Sequence, residues 1–328
     1  KYIDANSSIW TNLHGHNHPK INRAIRTQLD KVSHVSALGF ANSPAAKLGE
    51  RLIRLAKPRT RFPKTEPRLA KIFYSDDGST ATEVAIKLAY EHARRTGRAR
   101  KPRFLSVDAG YHGDTIGAVS AGHIDLFHKA YSGMLFKTDK VASPYCYRCP
   151  FNKAKPQRAD AREYRKCNME CVEQVEKKFE SRRKRGSDYA AFIVEPGVQG
   201  PAGIIAQPKG WLARVGAIAR AHGTQIIADE VMTGLGRASA GYFASHAEKI
   251  QPDYLCIAKG LTGGYLPMAA TLTTQEVFDS FLGEYDEFKT FFHGHSFTGN
   301  PLGAAASLAS LDLLESGNTK QKRTSLAA

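Results

Sequence analysis

Two short stretches decide the fold: Gln225-Ile226-Ile227-Ala228-Asp229-Glu230, and Tyr254-Leu255-Cys256-Ile257-Ala258-Lys259-Gly260. Each is an apolar run that ends abruptly in charge, the pattern of a buried strand in an α/β sheet. Such sheets bind ligands at the carboxyl ends of their strands, so Asp229 and Lys259 are expected at one edge of the sheet. A charge at a buried strand end is costly unless it is paired or used in chemistry. The two residues therefore mark a candidate functional site.

The chemistry of this pair favours pyridoxal 5'-phosphate (PLP). A lysine in a dry site loses its proton more easily, and the free amine can form a Schiff base. The aldehyde of PLP would bind Lys259, and its protonated ring nitrogen would give Asp229 a lasting cationic partner. A lysine before a glycine at a strand end is more often a solvated terminus, so the interpretation depends on the residues upstream.

Upstream, a predicted strand at Ala70–Tyr74 and a predicted helix at Ala81–Arg95 enclose a turn that contains Gly78, Ser79 and Thr80. Free N–H groups, the helix dipole and two hydroxyl groups make such a turn an anion site. The competing interpretation is an ordinary Ser/Thr helix cap. Because no lysine follows in the Walker spacing, a nucleotide P-loop is not expected.

Tyr111 stands between two glycines, just after a predicted strand at Arg103–Val107. An aromatic ring in this position can lie flat against a planar ligand, although an ordinary loop tyrosine fits the pattern as well. Further strands are predicted at 190–194 and 268–272, and further helices at 21–32, 44–56, 209–221, 275–281 and 302–314. Alternating strands and helices predict an α/β fold, one mixed sheet covered by helices on both faces.

The net charge of +16 raises the question of a nucleic-acid partner. The excess lies in Lys153–Arg185 and Lys320–Arg323, where few aromatic residues interrupt the basic ones. Single-strand binders interleave basic and aromatic residues, so a solvated helix face is the better interpretation. No apolar run approaches the length of a membrane span. We expect neither nucleic acid nor membrane as a partner.

Four of the five cysteines form two close pairs, Cys146-x-x-Cys149 and Cys167-x-x-x-Cys171, with 17 residues between the pairs. Two such pairs can supply a tetrahedral structural zinc site or, less readily, an iron–sulfur cluster. Four reduced thiols or two disulfides are the alternatives. A structural zinc is therefore a possible second cofactor.

Taken together, the motifs resemble the class III PLP aminotransferases of fold type I, and within this class the branch that acts in biotin synthesis. The residues that carry the resemblance are Gly78-Ser79, Tyr111-His112-Gly113-Asp114, Glu195-Pro196, Asp229-Glu230, Lys259-Gly260 and His293-Gly294-His295-Ser296. The resemblance covers residues 2–317. It implies a mixed, mostly parallel sheet, a small-molecule amino donor (S-adenosylmethionine or lysine) and a keto acceptor.

The resemblance also implies roles for single residues. Lys259 would bind the cofactor and move a proton, Asp229 would hold the ring nitrogen, and Tyr111 would stack on the ring. The cofactor-binding set would be Gly78, Ser79, Thr80, Tyr111, His112, Glu195, Asp229, Lys259, His295 and Ser296. The last two would reach the phosphate of the neighbouring subunit, which implies a cytoplasmic homodimer with shared active sites. Trp10, Asp114 and Gly294 would lie near the substrate.

By the same resemblance, residues 1–40 form an N-terminal segment that contributes to the active site. Residues 41–317 form the PLP-binding large domain with a basic, cysteine-containing insertion at 138–187, and 318–328 begin a C-terminal small domain. The sequence departs from the biotin branch at Ile9, where a second tryptophan precedes Trp10 in that branch. An ω-amino-acid transaminase or an aminomutase of the same class is the first alternative, and a non-catalytic nucleic-acid binder is a remote one.

Overall fold

A seven-stranded sheet forms the centre of the computed structural model, which describes residues 1–58, 66–154, 162–163 and 165–327. The described strands are β1 Leu69–Ser75, β2 Arg103–Val107, β3 Asp139–Val141, β4 Tyr189–Val194, β5 Val198–Gln199, β6 Ile205–Ala206, β7 Gln225–Asp229, β8 Tyr254–Ile257 and β9 Ala269–Thr274. Strands β5 and β6 form a separate two-stranded hairpin, and the other seven form the large sheet.

The strand order in the large sheet is β1-β9-β8-β7-β4-β2-β3. Only β9 runs against its neighbours, pairing antiparallel with both β1 and β8. The predicted mixed, mostly parallel sheet is therefore confirmed. Asp229 at the end of β7 pairs with Cys256 of β8, and this register brings Lys259, three residues further on, to the same carboxyl edge.

Helices cover both faces of the sheet. They are α1 Ser7–Trp10, α2 Pro19–Leu29, α3 Ser43–Leu55, α4 Gly78–Arg95, α5 Ile116–Ala121, α6 Asp125–His128, α7 Glu170–Lys184, α8 Trp211–Ala221, α9 Ala244–Ala247, α10 Gln275–Asp279, α11 Pro301–Glu315 and α12 Gly317–Ala327. Short 3₁₀ turns lie at Lys129–Met134, Cys146–Arg148, Lys259–Thr262 and Tyr285–Glu287. Among the described helices, none is both long enough and apolar enough to cross a membrane.

The core residues alternate between the two faces along each central strand. Ile227 and Cys256 pack in a cluster with the buried face of α4. Ala228 and Leu255 point the other way, into a cluster with α3 and α11. Since both faces are buried, every position of β7 and β8 is shielded from water, which explains the apolar runs Ile226–Ala228 and Tyr254–Ile257 within them.

Helix α4 begins at Gly78 because Asp77 caps it. The Asp77 carboxylate accepts a hydrogen bond from the N–H of Thr80 at 2.9 Å, and the Thr80 hydroxyl accepts one from the N–H of Asp77 at 3.0 Å. This reciprocal capping box fixes the first turn of the helix. Arg94 and Arg95 in the last turn complement the helix dipole.

Residues 138–187, predicted to be an insertion, contribute a strand and a helix to the main fold. Neither element was predicted from the sequence. Within these residues, β3 is the edge strand of the sheet, and α7 packs Val175 and Phe179 into a core cluster with α8. The strand has only three residues, and the apolar stripe of α7 is narrow among many charges, so both signals were weak. Residues 155–161 and 164 of this segment lie outside the described residues.

The N-terminal segment enters the fold through an unusual turn. All four residues of α1, Ser7–Trp10, have positive φ angles between 48° and 65°, so this single turn is left-handed. Asp4 accepts hydrogen bonds from the N–H and the hydroxyl of Ser8, at 2.9 and 2.8 Å. The turn places the Trp10 side chain over Lys259.

Candidate active site

A cavity of about 730 Å³ opens at the carboxyl edge of the sheet. Its walls come from the ends of β1, β2, β4 and β7, the turn after β8 and the N-terminal segment. The sequence-predicted residues that line it are Trp10, Gly78, Ser79, Tyr111, His112, Asp114, Glu195, Asp229 and Lys259. The structure therefore brings together nine residues from six separate stretches of the sequence.

Asp229 is held from two sides at the bottom of the cavity. His112 Nδ1 lies 2.7 Å from Asp229 Oδ2, and the N–H of Val231 donates to Asp229 Oδ1 at 3.0 Å. Burial disfavours a charged His112, but the hydrogen bond and charge of Asp229 outweigh burial and raise the pKa of His112. The pair therefore forms a fixed, charge-bearing unit below the cavity.

Glu195 links two loops beside this pair. Its carboxylate accepts hydrogen bonds from the N–H groups of Tyr111 at 3.1 Å and Gly200 at 2.9 Å. Burial raises the pKa of Glu195 to about 7, and the nearby Asp229 adds to this effect. Glu195 thus positions the backbone that carries the Tyr111 ring.

The amino end of α4 forms another wall. Gly78 and Ser79 line the cavity, and a Cβ atom at Gly78 would lie 2.5 Å from Cγ1 of Val231. The first N–H groups of a helix lack partners within the helix, and here they border the cavity. Thr80 is not part of the cavity lining, because its hydroxyl is used in the capping box.

Two residues that the sequence analysis missed hold Ser79 in place. The Ser79 and Thr115 hydroxyl oxygens lie 2.8 Å apart, and the N–H of Thr115 donates to Ser79 Oγ at 3.0 Å. Thr115 in turn donates to Glu83 at 2.5 Å. Glu83 lies one helical turn after Ser79, which is the only sequence signal that could have pointed to it.

Lys259 reaches the cavity from the turn after β8. Its Nζ lies 5.7 Å from the centre of the Trp10 ring, within the range of a cation–π contact. Trp10 and Asp114, which were predicted to lie near the substrate, line the same cavity as Lys259.

Gly294, His295 and Ser296 do not line this cavity. His295 Nδ1 instead lies 2.8 Å from Asp76 Oδ2, and Gly294 and Ser296 are exposed. Because Asp76 lines the cavity, His295 contacts the cavity wall without lining the cavity itself.

The four clustered cysteines carry free, half-buried thiols. Asn152 joins their two segments, since its side chain donates to the carbonyl of Cys146 at 2.8 Å and accepts from the N–H of Lys166 at 2.7 Å. Nevertheless, among the described residues no group of three or more ligand side chains is arranged to hold a metal ion. The structure lends the zinc prediction no support.

Comparison with known proteins points to one family. The family model described as "Aminotransferase class-III" matches residues 1–328. A curated relative from Geobacter sulfurreducens, named adenosylmethionine-8-amino-7-oxononanoate aminotransferase, is 47% identical over 316 residues. A relative of the same name from Aquifex aeolicus is 44% identical over 322 residues.

Solved structures agree with this likeness. The crystal structure of the adenosylmethionine-8-amino-7-oxononanoate aminotransferase of Methanocaldococcus jannaschii superposes with a TM-score of 0.84 at 38% identity, covering 98% of this chain and 66% of that one. A PLP-bound amine transaminase from an uncultivated Pseudomonas species superposes with a TM-score of 0.82 at 32% identity, covering 95% and 66%.

The chain is shorter than these relatives. It covers 65% of the length of the Geobacter protein and 66% of the Aquifex protein, while 96% and 98% of the chain itself is matched. The similarity thus extends over nearly all of this chain and about two thirds of each relative.

Proposed function

The chain belongs to the class III aminotransferases, and on this premise we propose that it transfers an amino group to 8-amino-7-oxononanoate, giving 7,8-diaminononanoate for biotin synthesis. The amino donor would be S-adenosylmethionine or lysine. The names of the relatives at 47% and 44% identity support this substrate. The observation that carries the proposal is the cavity itself, in which Lys259, the Asp229–His112 pair and the amino end of α4 meet.

The residues of the cavity fit each part of PLP. Lys259 would bind the aldehyde, Asp229 would accept a hydrogen bond from the ring nitrogen, and Tyr111 would cover one face of the ring. Gly78 and Ser79 would bind the phosphate with N–H groups and a hydroxyl at a helix N-terminus. When bound, PLP supplies an electron sink that stabilises negative charge at the substrate carbon.

The protein's own groups would then move and hold protons. Lys259 Nζ is the one side-chain amine in the described cavity lining, so it would act as the base and acid at the substrate carbon. His112 and the N–H of Val231 fix both oxygens of Asp229, which would keep this carboxylate in place to hold the ring nitrogen. Trp10 and Tyr111 would limit the access of water to the reacting atoms.

The proposal includes a cytoplasmic homodimer with shared active sites. Gly294, His295 and Ser296 lie outside the cavity of their own chain, and the last two carry groups suited to a phosphate. Their position supports a role at the phosphate of a second copy, as the family resemblance implies. The amino end of α4 would supply the remaining phosphate contacts.

The test is a transamination assay of the purified protein with 8-amino-7-oxononanoate and each donor in turn. We expect 7,8-diaminononanoate with S-adenosylmethionine or with lysine, and none with the variant Lys259→Arg, which keeps the charge but cannot bind an aldehyde covalently. Turnover of simple ω-amino acids without any turnover of 8-amino-7-oxononanoate would favour the alternative, an ω-amino-acid transaminase. This alternative also has structural neighbours, one of which is an ω-transaminase of Pseudomonas jessenii at 25% identity.

A further inference from the structure

A second chamber, of about 670 Å³, adjoins the cavity on the side away from α4. The two spaces share Trp10, Tyr111, Asp114, Pro201 and Lys259 in their linings, so they lie side by side. Aromatic rings, among them Phe127 and Tyr131, dominate the walls of the chamber. Among the described residues of its lining, Asp114 is the one carboxylate.

Asp114 is held in a defined position although most of its side chain is exposed. The Tyr111 hydroxyl donates to Oδ2 at 2.8 Å, and His128 Nε2 lies 3.2 Å from Oδ1. The side chain of Asp114 is 74% exposed, whereas that of His128 is 3% exposed. A buried imidazole and a phenol therefore support a carboxylate that faces the chamber.

The tautomer of His128 is fixed by the backbone. The N–H of Ile124 donates to His128 Nδ1 at 3.0 Å, so this nitrogen is an acceptor. A neutral ring must then carry its hydrogen on Nε2, which makes Nε2 a donor to Asp114. The His128 ring also stacks on Tyr111, with centroids 5.9 Å apart and planes 16° apart, so both supports of Asp114 are packed against each other.

We propose that His128 is a positioning residue that holds Asp114 at the junction of the two spaces, where Asp114 recognises the cationic side chain of the amino donor. A fixed carboxylate surrounded by aromatic rings is suited to a sulfonium or an ammonium group. Lys259 also lines the chamber; it is present in every variant compared below, so its amine does not account for differences among them. The inference rests on the proposed function and specifies the class of donor that its site accepts.

Donor pairs that differ in charge provide the test. S-adenosylhomocysteine is the neutral counterpart of S-adenosylmethionine, and norleucine is the neutral counterpart of lysine. Calorimetry measures the affinity of each compound for the protein loaded with pyridoxamine phosphate, which cannot take an amino group from a donor. We expect the cation of at least one pair to bind about tenfold more tightly than its neutral counterpart, the effect of one charge-assisted contact.

Four variants separate positioning from general structural effects. Asp114→Asn should abolish the preference for the cation without weakening the neutral counterpart. His128→Phe should lower the preference several-fold, while His128→Gln, which can place an N–H near the position of Nε2, should retain it. His222→Gln is the matched control, since His222 stacks on Phe179 with ring centroids 5.1 Å apart, does not line the chamber and should leave the preference unchanged.

The inference is overturned if the wild-type protein prefers neither cation, or if Asp114→Asn keeps the full preference. If His128→Phe fails to fold, the result for Asp114→Asn still tests the inference. The proposed function fails separately, by the absence of transamination with every donor. Turnover with a preference that no variant changes would therefore reject the inference alone.

Discussion

At the scale of single residues, the amino end of α4 shows how one missing side chain shapes the site. Gly78 lies against Val231, whose N–H also holds Asp229. A Cβ at Gly78 would lie 2.5 and 2.9 Å from the two methyl carbons of Val231, closer than real Cβ atoms come to other atoms. The glycine therefore lets the amino end of α4 and the Asp229 carboxylate share one wall of the cavity.

We predict that Gly78→Ala weakens PLP binding at least tenfold and lowers the free energy of unfolding by about 1–3 kcal/mol, the usual cost of overpacking. The double variant Gly78→Ala/Val231→Ala removes the clashing methyl groups and should recover most of both losses. Fluorescence titration with PLP and urea unfolding measure the two effects. If the double variant is as weak as the single one, the clash with Val231 is not the reason for glycine.

The residues that meet in the cavity could be singled out from the sequence because their signals are local. Lys259 and Asp229 end apolar runs, Tyr111 stands between glycines, and Gly78 opens a helix. Val231 contacts Gly78, which lies 153 positions earlier in the chain, and Thr115 contacts Ser79, 36 positions earlier. His128 acts through Asp114. Nothing in the local pattern marks such contacts, because they exist only after the sheet has formed.

At the scale of elements, the ends of the apolar strands were predicted within one or two residues. The charged strand β3 and the charged helix α7 were missed. The strand predicted from the run before Asp229 is β7, whose ends differ by one residue. Helix α7 was missed because Val175 and Phe179 are its only fully buried residues. The left-handed turn at Ser7–Trp10 could not be predicted, since four non-glycine residues with positive φ contradict local preference.

The junction between α4 and α10 should depend on pH through His92. This residue is 1% exposed, its Nδ1 lies 3.0 Å from Ser280 Oγ, and burial, together with the charge of Arg98, lowers the pKa of His92 to about 4. In the unfolded chain the pKa returns to about 6.5, so only the unfolded state gains this proton as the pH falls from 6.5 towards 4. His92 therefore destabilises the fold increasingly over this range.

We predict that His92→Gln loses less stability between pH 7 and pH 5 than the wild-type protein does. Urea unfolding at both pH values gives the free energies, and His16→Gln, at a histidine whose side chain is 62% exposed, serves as the control. An equal loss in the wild-type protein and in His92→Gln would show that His92 takes up its proton in the folded state as well.

At the scale of the whole molecule, the proposed homodimer makes a prediction that a single chain does not. If His295 serves the site of the neighbouring subunit, a dimer of one Lys259→Ala chain and one His295→Ala chain contains one complete site. Co-expression in equal amounts should then give about a quarter of the wild-type activity, because half of the dimers are mixed and each has one working site. Each variant alone should be nearly inactive.

The control for this experiment is a mixture of Lys259→Ala with Asp229→Ala chains, whose affected residues line the same cavity of one chain. Such mixed dimers contain no complete site and should remain inactive. Activity in the control but not in the His295 mixture would contradict the shared arrangement.

The account as a whole depends on Lys259 as the residue that binds PLP. The most direct measurement is to incubate the purified protein with PLP, reduce it with borohydride, digest it and locate the modified lysine by mass spectrometry. The account predicts nearly complete modification at Lys259, with none at that site once Lys259→Ala is introduced. Modification spread over other lysines, or PLP retained equally well by Lys259→Ala, would contradict it.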